Sequence, residues 1–123
     1  MQTEWKDNQP IYLQLRDKVI AMILDDVLGD GDALPSVRNV SAEFRLNPIT
    51  VSKAYQTLVD DELVEKRRGL GMFVQDGAKQ MLLATEKKKF LEEEWPAILS
   101  RIERLGLTRE ELLNSISPKG GAA

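Results

Sequence analysis

Histidine and cysteine, which carry much of the acid–base and metal chemistry of proteins, are both absent from this 123-residue sequence. The commonest general base, the commonest metal ligand and any thiolate or disulfide framework are absent with them. Carboxylates and cations remain. The acidic pairs Asp25/Asp26 and Asp60/Asp61 and the run Glu92–Glu94 consist of adjacent residues. On a helix, neighbours point in different directions, so these groups do not converge on one site. Gly69-Leu70-Gly71 lacks the strand-to-helix setting of a phosphate-binding loop. No catalytic residue, metal site or cofactor is expected, and an enzyme reading finds no support. The cations are more informative. Arg38, Arg45, Lys53 and the run Lys66-Arg67-Arg68 cluster within a stretch of 31 residues, where they could reach the phosphates or base edges of a nucleic acid.

The elements that would position these cations lie between Leu34 and Val74. Ser36 is a good N-cap, and Val37, Val40, Ser41 and Phe44 recur with helical spacing behind it. After the turn Arg45-Leu46-Asn47, Asn47 caps a second helix with Pro48 at its first position, where the missing N–H costs nothing. Val51, Ala54, Tyr55 and Leu58, with Leu63, form the expected buried face of that helix. Val64–Arg67 and Met72–Gln75 read as short strands, with Gly69 and Gly71 supplying the positive φ of a tight hairpin. Two short helices joined by a turn, followed at once by a basic hairpin, predict a winged helix-turn-helix.

The runs PSVR, NPITVSKAYQTL and LVEKRRGLGMFV resemble the DNA-binding domain of GntR-family bacterial transcription regulators. The NP-x-TV-x-KAY form and the short C-terminal region resemble the YtrA subfamily in particular, and the likeness extends from Pro10 to about Asn114. The resemblance implies that the helix beginning at Pro10 supports the helix-turn-helix from behind. It also implies that Arg38, in the PSxR pattern, contacts DNA, with a solvated or salt-bridged surface arginine as the alternative. Ile49 stands where the family commonly has Asn, which bears on base preference. Met72 stands where Thr is common, which bears on backbone contacts of the wing.

Charge does not decide for or against DNA binding. The chain carries a net charge of −3, and residues 1–76 hold nine Lys/Arg against thirteen Asp/Glu. The cations nevertheless cluster on the expected reading elements. Asp25, Asp26, Asp30 and Asp32 fall around the end of the first helix, and Asp60, Asp61 and Glu62 at the far end of the recognition helix. Such a dipolar distribution can bind phosphate on one face while keeping non-specific affinity low.

In the first helix Tyr12, Leu15, Val19, Met22 and Ile23 repeat with helical spacing, and Gly29 is its expected C′ residue. Trp5, in an N-terminal arm, is expected to pack on the domain rather than stack on a base. Beyond Val74 the sequence predicts a charged amphipathic helix from Lys79 to Glu94 and a kink or break at Trp95-Pro96. A second helix from Ala97 closes at Gly106, and a short last helix is introduced by the capping box Thr108–Glu111. The expected organisation is a DNA-binding domain over residues 1–76, a helical dimerisation segment over 77–116 and a disordered tail over 117–123. The fold class is therefore mainly α with a small β-hairpin wing, plus short C-terminal helices. The capped last helix and the GGAA ending lead us to expect a complete chain, without the aminotransferase-like domain that some GntR relatives carry. No apolar run approaches a membrane span and the polar start is not a signal peptide, so no membrane partner and a cytoplasmic location are expected.

The expected DNA contacts are Arg38, the cap Asn47, Ile49, Thr50, Ser52 and Lys53, and in the wing Lys66, Arg67, Arg68, Gly69 and Gly71. Lys53 can donate to guanine or to a phosphate, and Thr50 to either. Ile49 suits a thymine methyl or simple lateral packing. Strand alternation sends Lys66 and Arg67 to opposite faces, so one of them is free to be structural. The dimerisation residues are expected to be Leu82, Phe90, Leu91, Trp95, Ile98, Leu99, Ile102 and Leu105. The resemblance implies a homodimer binding an inverted-repeat operator in double-stranded DNA. It further implies a repressor, acting on its own operon and often on transporter genes. A small-molecule effector stays open; if one binds, a groove between the winged domain and the C-terminal helices of the dimer is its expected place. The rival reading is a winged helix used only for protein contacts.

Overall fold

A computed structural model describes residues 5–116; the expected tail at 117–123 lies outside the described residues. Elements run α1 (Ile11–Leu24), α2 (Val37–Phe44), α3 (Pro48–Asp60), β1 (Val64–Arg67), β2 (Gly71–Val74), α4 (Ala78–Lys89), a π-helical turn (Phe90–Glu94), α5 (Trp95–Leu105) and α6 (Arg109–Asn114). The fold is mainly helical with one antiparallel hairpin, a winged helix-turn-helix followed by C-terminal helices. Two compact units divide between Leu83 and Ala84.

In the first unit α1 lays Leu15, Val19 and Ile23, one apolar stripe at intervals of four, against the Val51, Ala54, Tyr55 and Leu58 face of α3. Leu28, Leu34, Val40, Leu63, Val64 and Val74 close the same core from the loops, α2 and the hairpin. Ala78 and Leu82 of α4 are buried in it too. The unit therefore extends past the expected boundary at residue 76, because two apolar side chains of α4 complete its core.

Two helix ends depart from expectation, and a third, at the expected turn after α2, closes in the same left-handed way. α1 does not run to Gly29; Asp26 takes the left-handed conformation (φ 64°), and the N–H of Val27 donates to the Met22 carbonyl at 2.9 Å. Glu62 (φ 61°) does the same after α3, where the N–H of Leu63 donates to the Leu58 carbonyl at 3.0 Å. Leu63 thus lies past α3 rather than on its face, as the apolar residue that a Schellman close brings back to the core. Arg45 (φ 55°) closes α2 in the same way. Non-glycine residues accept this strain, on the order of 1 kcal/mol each, where a nearby residue is anchored in the core, Leu28 after Asp26 and Leu63 after Glu62.

The hairpin pairs Val64 with Val74 and Arg67 with Gly71, so β2 begins one residue earlier than Met72. The segment before α2 adds a third short edge. Ala33 bridges to Phe73, the Leu34 N–H donates to the Met72 carbonyl at 2.8 Å, and the Val74 N–H to Asp32 at 2.9 Å. This pairing ties the wing to the entrance of the helix-turn-helix.

The arm is clamped by Gln14, a buried polar side chain of α1. Its Oε1 accepts from the Lys6 N–H at 2.8 Å, while its Nε2 donates to the carbonyls of Lys6 and Gln9, both at 2.7 Å. Trp5 packs edge-on to Phe44 with ring centroids 6.2 Å apart, as the packing expectation required.

In the second unit the Trp95-Pro96 pair neither breaks nor ends the helix. A π-helical turn precedes it, in which the Trp95 N–H donates to the Phe90 carbonyl. Proline at the second position of α5 has no N–H to offer and its ring crowds the preceding turn, and the wider turn accommodates both. Gly106 (φ 70°) ends α5, and Thr108 and Glu111 complete the expected capping box before α6. Trp95, Leu99, Ile102, Leu107, Leu112 and Leu113 line a shallow hollow of about 450 Å³ between α5 and α6.

Candidate nucleic-acid interface

The recognition helix α3 is fixed from both ends of its first turns. Asn47 accepts the Ile49 N–H at 2.9 Å, so its amide oxygen is used as a cap while its amide nitrogen stays exposed. Behind it the Tyr55 hydroxyl donates to the Pro35 carbonyl at 2.7 Å, joining α3 to the loop that enters α2. Burial pushes the Tyr55 phenol up to about 12. Ser36 caps α2 by accepting the Asn39 N–H at 3.0 Å, and Ser41 donates to the Leu46 carbonyl, which sets the turn.

From this frame α3 presents Ile49 and Ser52 to solvent, with Thr50 half-buried beside them. Gln56 and Thr57, a turn later, are engaged within the helix: Gln56 donates to Asp60 at 2.9 Å and Thr57 to the Ala54 carbonyl at 2.6 Å. Ile49, Thr50, Ser52 and Lys53 thus occupy the first turns, the part of a recognition helix that meets base edges, and Gln56 stays exposed a turn later. Arg38, in the first turn of α2, is exposed and has no carboxylate partner among the described residues.

Of the two strand cations Arg67 is the paired one: it donates to Glu65 at 2.8 Å and its guanidinium lies 4.4 Å from the Phe73 ring centroid, while its side chain stays exposed. Lys66 and Arg68 are exposed and unpaired with carboxylates among the described residues. Gly69 (φ 77°) and Gly71 (φ 118°) make the tip, where the Leu70 N–H donates back to the Arg67 carbonyl at 2.8 Å. A groove of about 470 Å³ separates wing from helices, and Ser36, Ser52, Gln56, Lys66, Arg67, Gly69 and Gly71 are among the residues that line it. The expected contacts Ser52, Lys66, Arg67, Gly69 and Gly71 are thus brought around one concavity.

Lys53 is not in that groove. Its ammonium stands 4.2 Å from the centroid of the Tyr12 ring, at the start of α1. Sequence reading also passed over Leu70. At 75% and 73% exposed, Ile49 and Leu70 are the two most exposed large apolar side chains of the first unit's described residues. One is on the leading turn of α3 and the other at the wing tip. The signal for Leu70 was present, an apolar residue set between two turn glycines next to three cations. No group of three or more acidic side chains among the described residues is arranged to hold a metal ion.

Of the expected dimerisation residues, Leu82 is corrected. It is buried in the first unit's own core, 7% exposed, and is unavailable to a second chain. Phe90, Leu91, Ile98, Leu99 and Leu105 are exposed, and Trp95 and Ile102 half-buried.

A helix-turn-helix whose second helix is capped, polar and outward at its start, beside a cationic glycine-tipped wing, defines a DNA-binding regulator of the winged-helix class. The family model of the bacterial regulatory proteins of the gntR family matches residues 11–74, and the chain belongs to that family. It is 33% identical over 116 residues to the HTH-type transcriptional regulator YhcF of Bacillus subtilis, covering 94% of each chain. It is 30% identical over 112 residues to the HTH-type transcriptional repressor YtrA of the same organism, covering 91% of this chain and 85% of that one. A GntR family transcriptional regulator from Listeria monocytogenes has a similar structure, with a TM-score of 0.71, 26% identity and coverage of 89% and 95% of the two chains. The chain is a transcriptional regulator of the YtrA subfamily, not an enzyme. Among its described residues no helix is long and apolar enough to cross a membrane.

Proposed function

We propose that this regulator is a cytoplasmic homodimeric repressor that binds an inverted-repeat operator, acting on its own operon and on transporter genes. The observation that carries the DNA contacts is the confinement of the free surface to the leading turns of α3 and the wing groove. Behind Lys53 on α3, Ala54, Tyr55 and Leu58 are buried, Thr57 is bonded to the Ala54 carbonyl, and Gln56 faces the groove. Ile49 and Thr50 suit the thymine methyl and base edges of the major groove. Arg38, Lys66 and Arg68 are exposed, have no carboxylate partner among the described residues, and supply phosphate affinity. Ser52 lies at the mouth of the groove, and the glycine tip lets the wing backbone approach the duplex closely. Asn47 contributes by holding α3 in register.

The homodimer rests on the second unit, whose apolar residues Phe90, Leu91, Ile98, Leu99 and Leu105 are exposed in a single chain. Trp95 and Ile102 are half-buried and complete the proposed contact set. Two reading heads would meet successive major grooves about 34 Å apart on a palindromic site. Repression follows the name of the relative YtrA. A small-molecule effector would act by biasing the spacing of the heads.

The test is binding of the purified protein to the DNA upstream of its own gene against a scrambled duplex, titrated across salt and mapped by footprinting. Salt-steep binding to the upstream duplex alone, with a two-fold footprint, is expected. Equal, feeble binding to both duplexes, together with capture of a protein partner through α3, would favour a protein-binding winged helix instead.

A further inference from the structure

Resting on the DNA-binding reading above, we infer that Tyr12 is a positioning residue that directs Lys53 to a backbone phosphate instead of a base edge. Lys53 lies in the second turn of α3, where an unrestrained lysine could sweep from the groove floor to the phosphates. Its ammonium instead stands 4.2 Å from the Tyr12 ring centroid, well inside cation–π reach. Tyr12 is itself held, half-buried against the core at the start of α1. No carboxylate among the described residues competes for Lys53. The charge is thus drawn sideways toward α1, away from Ile49, Thr50 and Ser52.

Two consequences follow. Base reading is left to short side chains, with Lys53 adding affinity that is blind to sequence. Part of the rotamer entropy that a lysine gives up on binding is already lost in the free protein, so the contact with phosphate forms at less cost. The ring leaves the ammonium its donors, because a π face satisfies the charge without accepting a conventional hydrogen bond.

The experiment is a double-mutant cycle on the footprinted operator with Tyr12→Leu, Tyr12→Phe and Lys53→Met, each checked for folding by thermal melting. Tyr12→Leu is expected to weaken binding by roughly two- to five-fold. Tyr12→Phe, which keeps the ring, should bind like the parent. In the Lys53→Met background Tyr12→Leu should have no further effect. Lys53→Met should weaken operator and mismatched duplex alike and lower the salt slope by about one. In the free protein, ring-current shifts of the Lys53 ε-protons should vanish in Tyr12→Leu. Equal losses from Tyr12→Leu with and without Lys53, or a Lys53→Met variant that changes base preference, would overturn the inference while leaving the regulator reading intact. A parent chain that binds no duplex would overturn that reading itself.

Discussion

The two units of this chain solve the same physical problem in different ways. All fifteen buried apolar residues lie at or before Leu82, and none of the described residues beyond it is buried. The first unit closes a core from three helices, a hairpin and the start of α4, and its reading surface is what remains outside. The second has well-formed, capped helices with apolar faces that a single chain leaves open. Helical order there comes from caps and from local contacts such as Phe90 against Trp95, with ring centroids 6.2 Å apart. Local order without burial contributes little stability. The winged unit is therefore a domain in its own right, and the C-terminal helices are a surface that needs covering, which is the physical ground for the proposed homodimer.

Variants can break or sharpen this contrast. The largest expected effect is in the first core: Leu58→Ala, at a fully buried site, should cost about 2–5 kcal/mol and abolish cooperative unfolding of the winged unit, read by circular dichroism. Next comes Leu99→Asp with Ile102→Asp in α5. These changes should leave the fold of the first unit intact, yield monomers in sedimentation, and weaken operator binding by roughly a hundredfold through lost bivalency. Arg38→Ala should weaken binding to all sequences alike, about tenfold or less, with a salt slope shallower by about one. If binding were unchanged, the interface would be misplaced.

Tyr55→Phe is expected to cost about 1 kcal/mol, since the Pro35 carbonyl loses its donor. The phenol also sets a pH dependence. Its folded value of about 12 lies above the ordinary 10, so the native state holds the proton more tightly. That contribution is complete below pH 10 and is lost as the pH rises from 10 through 12. Alkaline denaturation should accordingly begin less steeply in Tyr55→Phe. The smallest change in affinity is expected from Ile49→Asn, which should instead alter the preferred base at one operator position, measured by selection from a randomised site.

What could be read in the sequence divides along chemical lines. Caps were legible because a side chain makes them: Ser36, Asn47 and Thr108 all stand where their oxygens are used. Gly106 and the turn at Arg45 were legible as helix ends, whereas the closes at Asp26 and Glu62 were not, since Gly29 and the apolar Leu63 pointed to ends farther along. The third edge of the wing sheet is made by backbone groups of residues 31–34 and leaves no residue signature. Leu82 shows the limit of periodicity, which finds an apolar stripe but not which surface it packs against. In the interface, residue types and order were legible. The ring contacts of Arg67 with Phe73 and of Lys53 with Tyr12 join different elements, and only the fold brings those together.

The most direct test of the claim that the second unit joins two reading heads is the stoichiometry of the complex. Sedimentation equilibrium of the full chain, alone and with a duplex carrying one footprinted operator, would measure it. Two chains per duplex, and a dimer that persists without DNA, is the result this account predicts. A monomer in free solution that loads one chain onto each operator would contradict it.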